Sequence, residues 1–357
     1  MTNTRDRLAN RTLRLVDIPS VSRDEARIVR YVAAAMPPEA FALTYDEDET
    51  LLFNSWHRRD RPRVLFAGHL DTVPPQANLP GRLEAGAIMG LGASDMKGGV
   101  AVMIELARWI AETGAPLELA PSFLFFGREE LPVDQSPLPR LFERAEVEAE
   151  LVVMLEPTDN TLQAGCLGNL NATLSFQGES AHSARPWLGV NAIERAIEGL
   201  APLTQLDPVD VEVSGLLFRE VLTITGIEGG LAANVVPDTA SARLNYRYAP
   251  TRSPEEAETR LAELVDGRGS LELHGNSPPA QVVVDVPLVQ RLRKAGDFAV
   301  APKQAWTPVA EFNRFGLDAV NLGPGATRYA HRRDEQVAIG ELVRTWEALR
   351  RFLLGDV

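Results

Sequence analysis

Residues 64–74 read Val64-Leu65-Phe66-Ala67-Gly68-His69-Leu70-Asp71-Thr72-Val73-Pro74, an apolar run that stops abruptly at a histidine and a carboxylate. The same grammar recurs three times. Ser122 to Gly127 precedes Glu129, Leu151 to Leu155 precedes Glu156, and Ala319 to Gly323 precedes His331. Continuous apolar runs alternating with helical patterns, such as 98–113, predict an α/β fold whose mostly parallel sheet carries helices on both faces. Ligands of such sheets sit at the carboxyl ends of the strands. The reactive side chains that follow the four runs are therefore expected in one crevice.

Bulk properties narrow the function. A chain of 357 residues exceeds one ordinary core, so a large domain with a smaller companion is expected. The net charge of -13 disfavours nucleic acid, which is held by clustered Lys and Arg. No run approaches the roughly 18 apolar residues of a spanning helix. The first residues lack the basic start and apolar stretch of a secretory leader, which predicts a cytoplasmic protein. Cys166 is the only cysteine, so any metal must be bound by histidine and carboxylate.

Two helical patterns separated by Ile18-Pro19-Ser20 occupy 4–36. Between 172 and 282 the rhythm changes to a strand ending at Phe176, a helix over 189–200, strands near 217–224 and 240–248, a helix over 254–265 and a strand over 270–274. This βαββαβ order is that of a ferredoxin-like unit. Because crevice-forming runs lie on both sides of it, 172–282 is read as a domain inserted into a catalytic domain formed by 1–171 and 283–357.

The chain has five histidines, His57, His69, His182, His274 and His331. His57 and His274 lie in surface-like contexts. Any one histidine alone is better explained as a hydrogen-bonded structural residue, so the case rests on the group. Alternation places His69 and Asp71 on one side of an extended segment, where Asp71 can take the second ring N–H of a metal-bound His69. Asp95 lies in the glycine-dense 90–99 turn before a helix. It is either a helix cap or, approached from two sides, a carboxylate shared by two ions. Glu129 and Glu130 form a strand-end pair able to divide ligand and proton-transfer roles. With Glu156 and His331 this is an oxygen- and nitrogen-donor set suited to Zn²⁺, with Co²⁺ or Mn²⁺ as substitutes.

In order along the chain, GHLDTVP, GASDMKGG, REE, LEP, GESAHSARP, ANVVP, NYR and GPGATRYAHRRDE resemble the motifs of the dinuclear zinc aminoacylase and carboxypeptidase family. Within it, AGCLGNLNATLSFQGESAHSARPWLGVNAI and QAWTPVAEFNRFGLDAVNLGPG are most similar to the actinobacterial succinyl-diaminopimelate desuccinylase branch. The resemblance implies two Zn²⁺ per subunit, one completed by His69 and Glu156, the other by Glu130 and His331, with Asp95 bridging. It further implies Glu129 as general base, Asp71 orienting His69, and a cis peptide after Asp95. His182 would come from the inserted lid/dimerisation domain of a partner subunit in a homodimer and stabilise the oxyanion. The substrate implied is a small acidic N-acyl amino acid, N-succinyl-LL-2,6-diaminopimelate. Arg185 and Arg247 are candidate clamps for its carboxylates, since guanidinium pairs bidentately. Asn234, Thr307 and Gly323 match substrate-contact positions. REELPVDQSPLPRLF departs from the family's wording after the Glu pair. An acetylornithine or other N-acyl amino acid deacylase, or a small carboxypeptidase, would share the same metal ligands.

Overall fold

The computed structural model describes residues 3–56 and 60–356, so His57 lies outside the described residues. The chain divides into two compact units. One comprises Met1–Ala164, Val283–Ala301 and Glu311–Val357, the other Gly165–Val282 and Pro302–Ala310.

An eight-stranded sheet runs in the order Phe41–Glu47, Thr50–Ser55, Ala120–Phe126, Arg63–His69, Leu151–Met154, Ala319–Asn321, Leu162–Cys166, Val300–Lys303. The four central strands are parallel. The Phe41–Glu47 and Thr50–Ser55 hairpin joins antiparallel on one side and Leu162–Cys166 antiparallel on the other. Every residue of Ala120–Phe126, Leu151–Met154 and Ala319–Asn321 is buried, as strands covered on both faces require.

Register brings the strand ends level. His69 pairs with Phe126 and Ala67 with Met154, so His69, Glu129 and Glu156 leave the sheet at one end. Helix Gly98–Thr113 buries every residue from Gly98 to Ala107 and stops at Gly114, whose φ of 58° suits glycine. A Cβ on Gly99 would stand 2.4 Å from the Leu155 carbonyl oxygen, so only glycine lets the helix start meet the strand end that carries Glu156.

The second unit holds a five-stranded antiparallel sheet in the order Val209–Val213, Leu216–Gly229, Thr239–Tyr248, Gly168–Gln177, Ser270–Ser277. Its last four strands have the ferredoxin-like order. Helices Ala192–Leu200 and Pro254–Val265 pack Ala192, Leu200, Ala257 and Leu261 against Leu170, Leu174, Phe176 and Leu244. The helix expected from 189 begins at Ala192, because Asn191 accepts from the Ile193 amide and caps it while Pro186–Leu188 forms a separate turn. Val209–Val213 is a strand absent from the sequence reading; its residues are all exposed or half-exposed, so no apolar run marks it. Among the described residues no helix is long and apolar enough to cross a membrane.

Candidate metal centre and active site

His69 ends its strand fully buried, and Asp95 approaches it from the 93–97 turn. The Nε2 of His69 lies 3.1 Å from Asp95 Oδ1 and 4.0 Å from Glu156 Oε1. The other Asp95 oxygen, Oδ2, lies 3.6 Å from His331 Nε2, which is itself 3.0 Å from both carboxylate oxygens of Glu130. One carboxylate thus presents one oxygen to each of two imidazoles. His69, Asp95 and Glu156 bring donor atoms within 4.8 Å of one another, as do Asp95, Glu130 and His331. A third such group is His69, Glu129 and Glu130. The first two groups share Asp95 and use five donors without Glu129. The donor chemistry of nitrogen and hard oxygen fits two borderline divalent cations. The peptide between Asp95 and Met96 is cis.

Asp71 is fully buried. Its Oδ1 accepts from the Glu129 amide at 3.0 Å and its Oδ2 from the Glu130 amide at 3.1 Å and the Ser22 hydroxyl at 2.7 Å. The His69 Nδ1 stands 3.5 Å from Asp71 Oδ1 and 3.1 Å from the Asp71 carbonyl oxygen. Asp71 therefore fixes the acidic pair as well as facing the imidazole. Ser22 carried no signal in the sequence, because its role depends on a contact 49 residues away.

The electrostatics record crowded acids. Burial raises the Glu129 carboxyl well above the usual range; His69 opposes this, and Glu156, Glu130 and Asp95 reinforce it. For His69, burial favours the neutral ring but the Asp71 and Asp95 carboxylates outweigh it, holding the imidazole well above its ordinary value. The Glu130 hydrogen bond, against burial and with help from Asp95 and Glu335, lifts His331 to about 9. Divalent cations held among these donors would supply positive charge that favours the ionised carboxylates and neutral imidazoles.

Glu335 closes the GPGATRYAHRRDE motif, but the sequence reading assigned it no role. It is buried, and its carboxylate accepts the amides of Gly92 at 2.8 Å, Ser94 at 3.0 Å and Asp95 at 3.0 Å. Its own carbonyl takes the Gly90 amide at 2.9 Å. Four residues after His331, it thus ties the His331 segment to the turn that carries Asp95. Gly323 packs where a Cβ would lie 2.4 Å from the Leu155 oxygen and 2.5 Å from the Glu156 oxygen. That places it against the Glu156 backbone.

In the second unit, His182 and Val235 are strand partners, and the Ser183 amide donates to the Asn234 carbonyl at 3.0 Å. His182, Arg185 and Asn234 are therefore neighbours, all exposed. The Ala184 amide donates to His182 Nδ1 at 3.0 Å, so in the neutral ring Nε2 carries the proton and is a donor. Arg247 is on a different element, half-buried in Thr239–Tyr248. Thr307 is buried, and its hydroxyl has no hydrogen-bond partner among the described residues. His274 is exposed and bonded to Thr173.

An α/β sheet with two donor groups sharing a carboxylate beyond its strand ends defines a metal-dependent hydrolase of amide or peptide bonds. Residues 65–355 match peptidase family M20/M25/M40, and the chain belongs to that family of dinuclear metal-dependent enzymes. A Mycobacterium tuberculosis protein provisionally named succinyl-diaminopimelate desuccinylase is 38% identical over 349 residues, spanning 96% of this chain and 97% of its own. Corynebacterium glutamicum succinyl-diaminopimelate desuccinylase is 33% identical over 357 residues, spanning 96% and 95%. The crystal structure of a Staphylococcus aureus tripeptidase matches the fold with a TM-score of 0.81 at 20% identity, covering 98% of each chain.

Proposed function

We propose that the protein hydrolyses the amide bond of N-succinyl-LL-2,6-diaminopimelate to succinate and LL-2,6-diaminopimelate, using two zinc ions per subunit. The observation that carries the two-ion hydrolase in this reading is Asp95, whose two oxygens separately face His69 and His331. His69 and Glu156 would hold one ion, Glu130 and His331 the other, with Asp95 between them. When bound, such ions acidify water and polarise a carbonyl. Glu129 stands among these donors without being needed as one, on a backbone fixed by Asp71, so it is free to move a proton. It takes that proton from the attacking water and delivers it to the leaving amine nitrogen. The names of the two relatives support the succinyl substrate, and the arginines at 185 and 247 suit its carboxylates.

The reading includes a homodimer through the inserted unit, in which His182 of a second copy donates Nε2–H to the developing oxyanion. Trp187, Leu188, Ile197, Ile227 and Leu231 of that unit are exposed apolar side chains, Leu231 to 90%, and cover by a second copy would bury them. Asn234, Thr307 and Gly323 are each proposed as substrate contacts.

The test compares release of free amine from N-succinyl-LL-2,6-diaminopimelate, N-acetylornithine, other N-acyl amino acids and dipeptides by the zinc-loaded enzyme. The succinyl substrate is expected to have the highest kcat/KM. A higher value for N-acetylornithine or a dipeptide would instead assign a sibling deacylase or a small carboxypeptidase.

A further inference from the structure

Arg247 is half-buried on strand Thr239–Tyr248, and no carboxylate among the described residues pairs with it. Burial disfavours its charged form, opposed only by the Cys166 thiol. That thiol is itself pushed up to about 11 and is neutral at physiological pH. A half-buried cation without a counter-charge costs folding energy, so stability alone does not account for its surroundings.

They hold it still without neutralising it. Arg247 Nε donates to Asn245 Oδ1 at 2.8 Å. The Asn245 amide cannot turn, since its Nδ2 donates to Asn169 Oδ1 at 2.7 Å and to Asn171 Oδ1 at 2.8 Å. Both amide hydrogens are used, which leaves the oxygen for Arg247. Strand register builds this group. Asn171 lies directly opposite Asn245, and Asn169 directly opposite Arg247, so all four side chains rise from one face of the sheet. With Nε occupied, the guanidinium plane is set, and its two terminal nitrogens form the remaining donor edge. Those nitrogens have no partner among the described residues. That edge matches a carboxylate in two parallel hydrogen bonds. An aspartate at 245 would cancel the charge, and its second oxygen would stand where Asn245 Nδ2 now donates, so the Asn169 and Asn171 amides would have to turn over and donate to it.

We propose that Asn245, clamped by Asn169 and Asn171, is a positioning residue that aims Arg247 at a ligand carboxylate while leaving its charge uncompensated. It thereby sets a preference for anionic ligands. The identity of that ligand as the N-succinyl substrate rests on the function proposed above.

The experiment uses the zinc-loaded full-length enzyme, with steady-state kinetics on N-succinyl-LL-2,6-diaminopimelate and calorimetric binding of succinate. Asn245→Asp is expected to raise KM about tenfold or more and to weaken succinate by a similar factor. Its kcat is expected to stay within about threefold, because the lost interaction is uniform binding. In an Arg247→Lys background the same change is expected to add little, since Asn245 acts through Arg247. Asn171→Ala, a milder change, is expected to raise KM in the same direction and covers the case in which Asn245→Asp does not fold. Wild-type KM and succinate affinity in both variants would overturn the proposal, as would an equal Asn245→Asp effect in the Arg247→Lys background. If wild-type enzyme turns over no succinyl substrate, the proposed function falls, and succinate binding alone then decides the role of Asn245: lost in the variants, it stands; retained, it fails.

Discussion

Asp71 accepts the backbone amides of Glu129 and Glu130 and faces His69, so it sets the spacing between the proposed proton carrier, a proposed metal donor and an imidazole. This arrangement makes Glu129 separable from the donors around it. Glu129→Gln is expected to retain both zinc ions, measured by elemental analysis after gel filtration, while kcat falls by about 10²- to 10⁴-fold. Loss of one zinc with the activity would instead make Glu129 a ligand, in line with its grouping with His69 and Glu130. The reactive residues were legible because each follows an apolar run or sits in a glycine-rich turn. Ser22 was not, and Asn245 and Glu335 stood inside the NYR and GPGATRYAHRRDE motifs without a role. Their partners are backbone amides, a buried carboxylate or neighbouring amide side chains, and the separation from Glu335 to Asp95 is 240 residues.

At the scale of elements, the 90–97 turn depends on Glu335, whose carboxylate satisfies three amides that would otherwise be buried without partners. Glu335→Gln offers one acceptor and an NH2 that faces N–H groups. It is expected to weaken zinc retention about 10- to 100-fold, read by competition with a fluorescent chelator. Unchanged retention would show that the turn holds Asp95 unaided.

The helix Val309–Arg314 carries a second buried acid. Glu311 accepts from the Ser136 hydroxyl at 3.1 Å through Oε2, and its Oε1 has no partner among the described residues. Burial pushes it up to about 7. The folded state then binds a proton that the unfolded chain releases near pH 4.5, so the contribution of Glu311 to stability is fully present in acid and is lost as pH rises through about 7. Urea midpoints are expected to fall between pH 5 and pH 8, and Glu311→Gln is expected to remove part of that decline. An identical pH profile in Glu311→Gln would show that the acid does not titrate in this range. This contact joins the 132–137 segment, which departs from the family wording, so no motif pointed to it.

For the whole molecule, what the sequence made legible follows from burial. The parallel heart of the large sheet announced itself because strands covered on both faces are apolar at every position, and Ala120–Phe126 is the clearest case. The ferredoxin-like order was legible because its six elements are contiguous in the chain. Antiparallel flanks were not. Phe41–Glu47 buries only Phe41 and Tyr45, and Val209–Val213 buries nothing, so neither leaves a run to read. Assembly belongs to this scale as well, since a second copy is required for His182 to act as proposed.

The central claim is that a two-ion centre hinged on Asp95 hydrolyses a succinyl amide. The most direct measurement titrates zinc into metal-free protein while following succinate release from N-succinyl-LL-2,6-diaminopimelate. Release is expected to be absent without zinc and to reach its maximum at about two ions per chain. Full turnover in chelator-treated protein, or no succinate at any zinc loading, would contradict it.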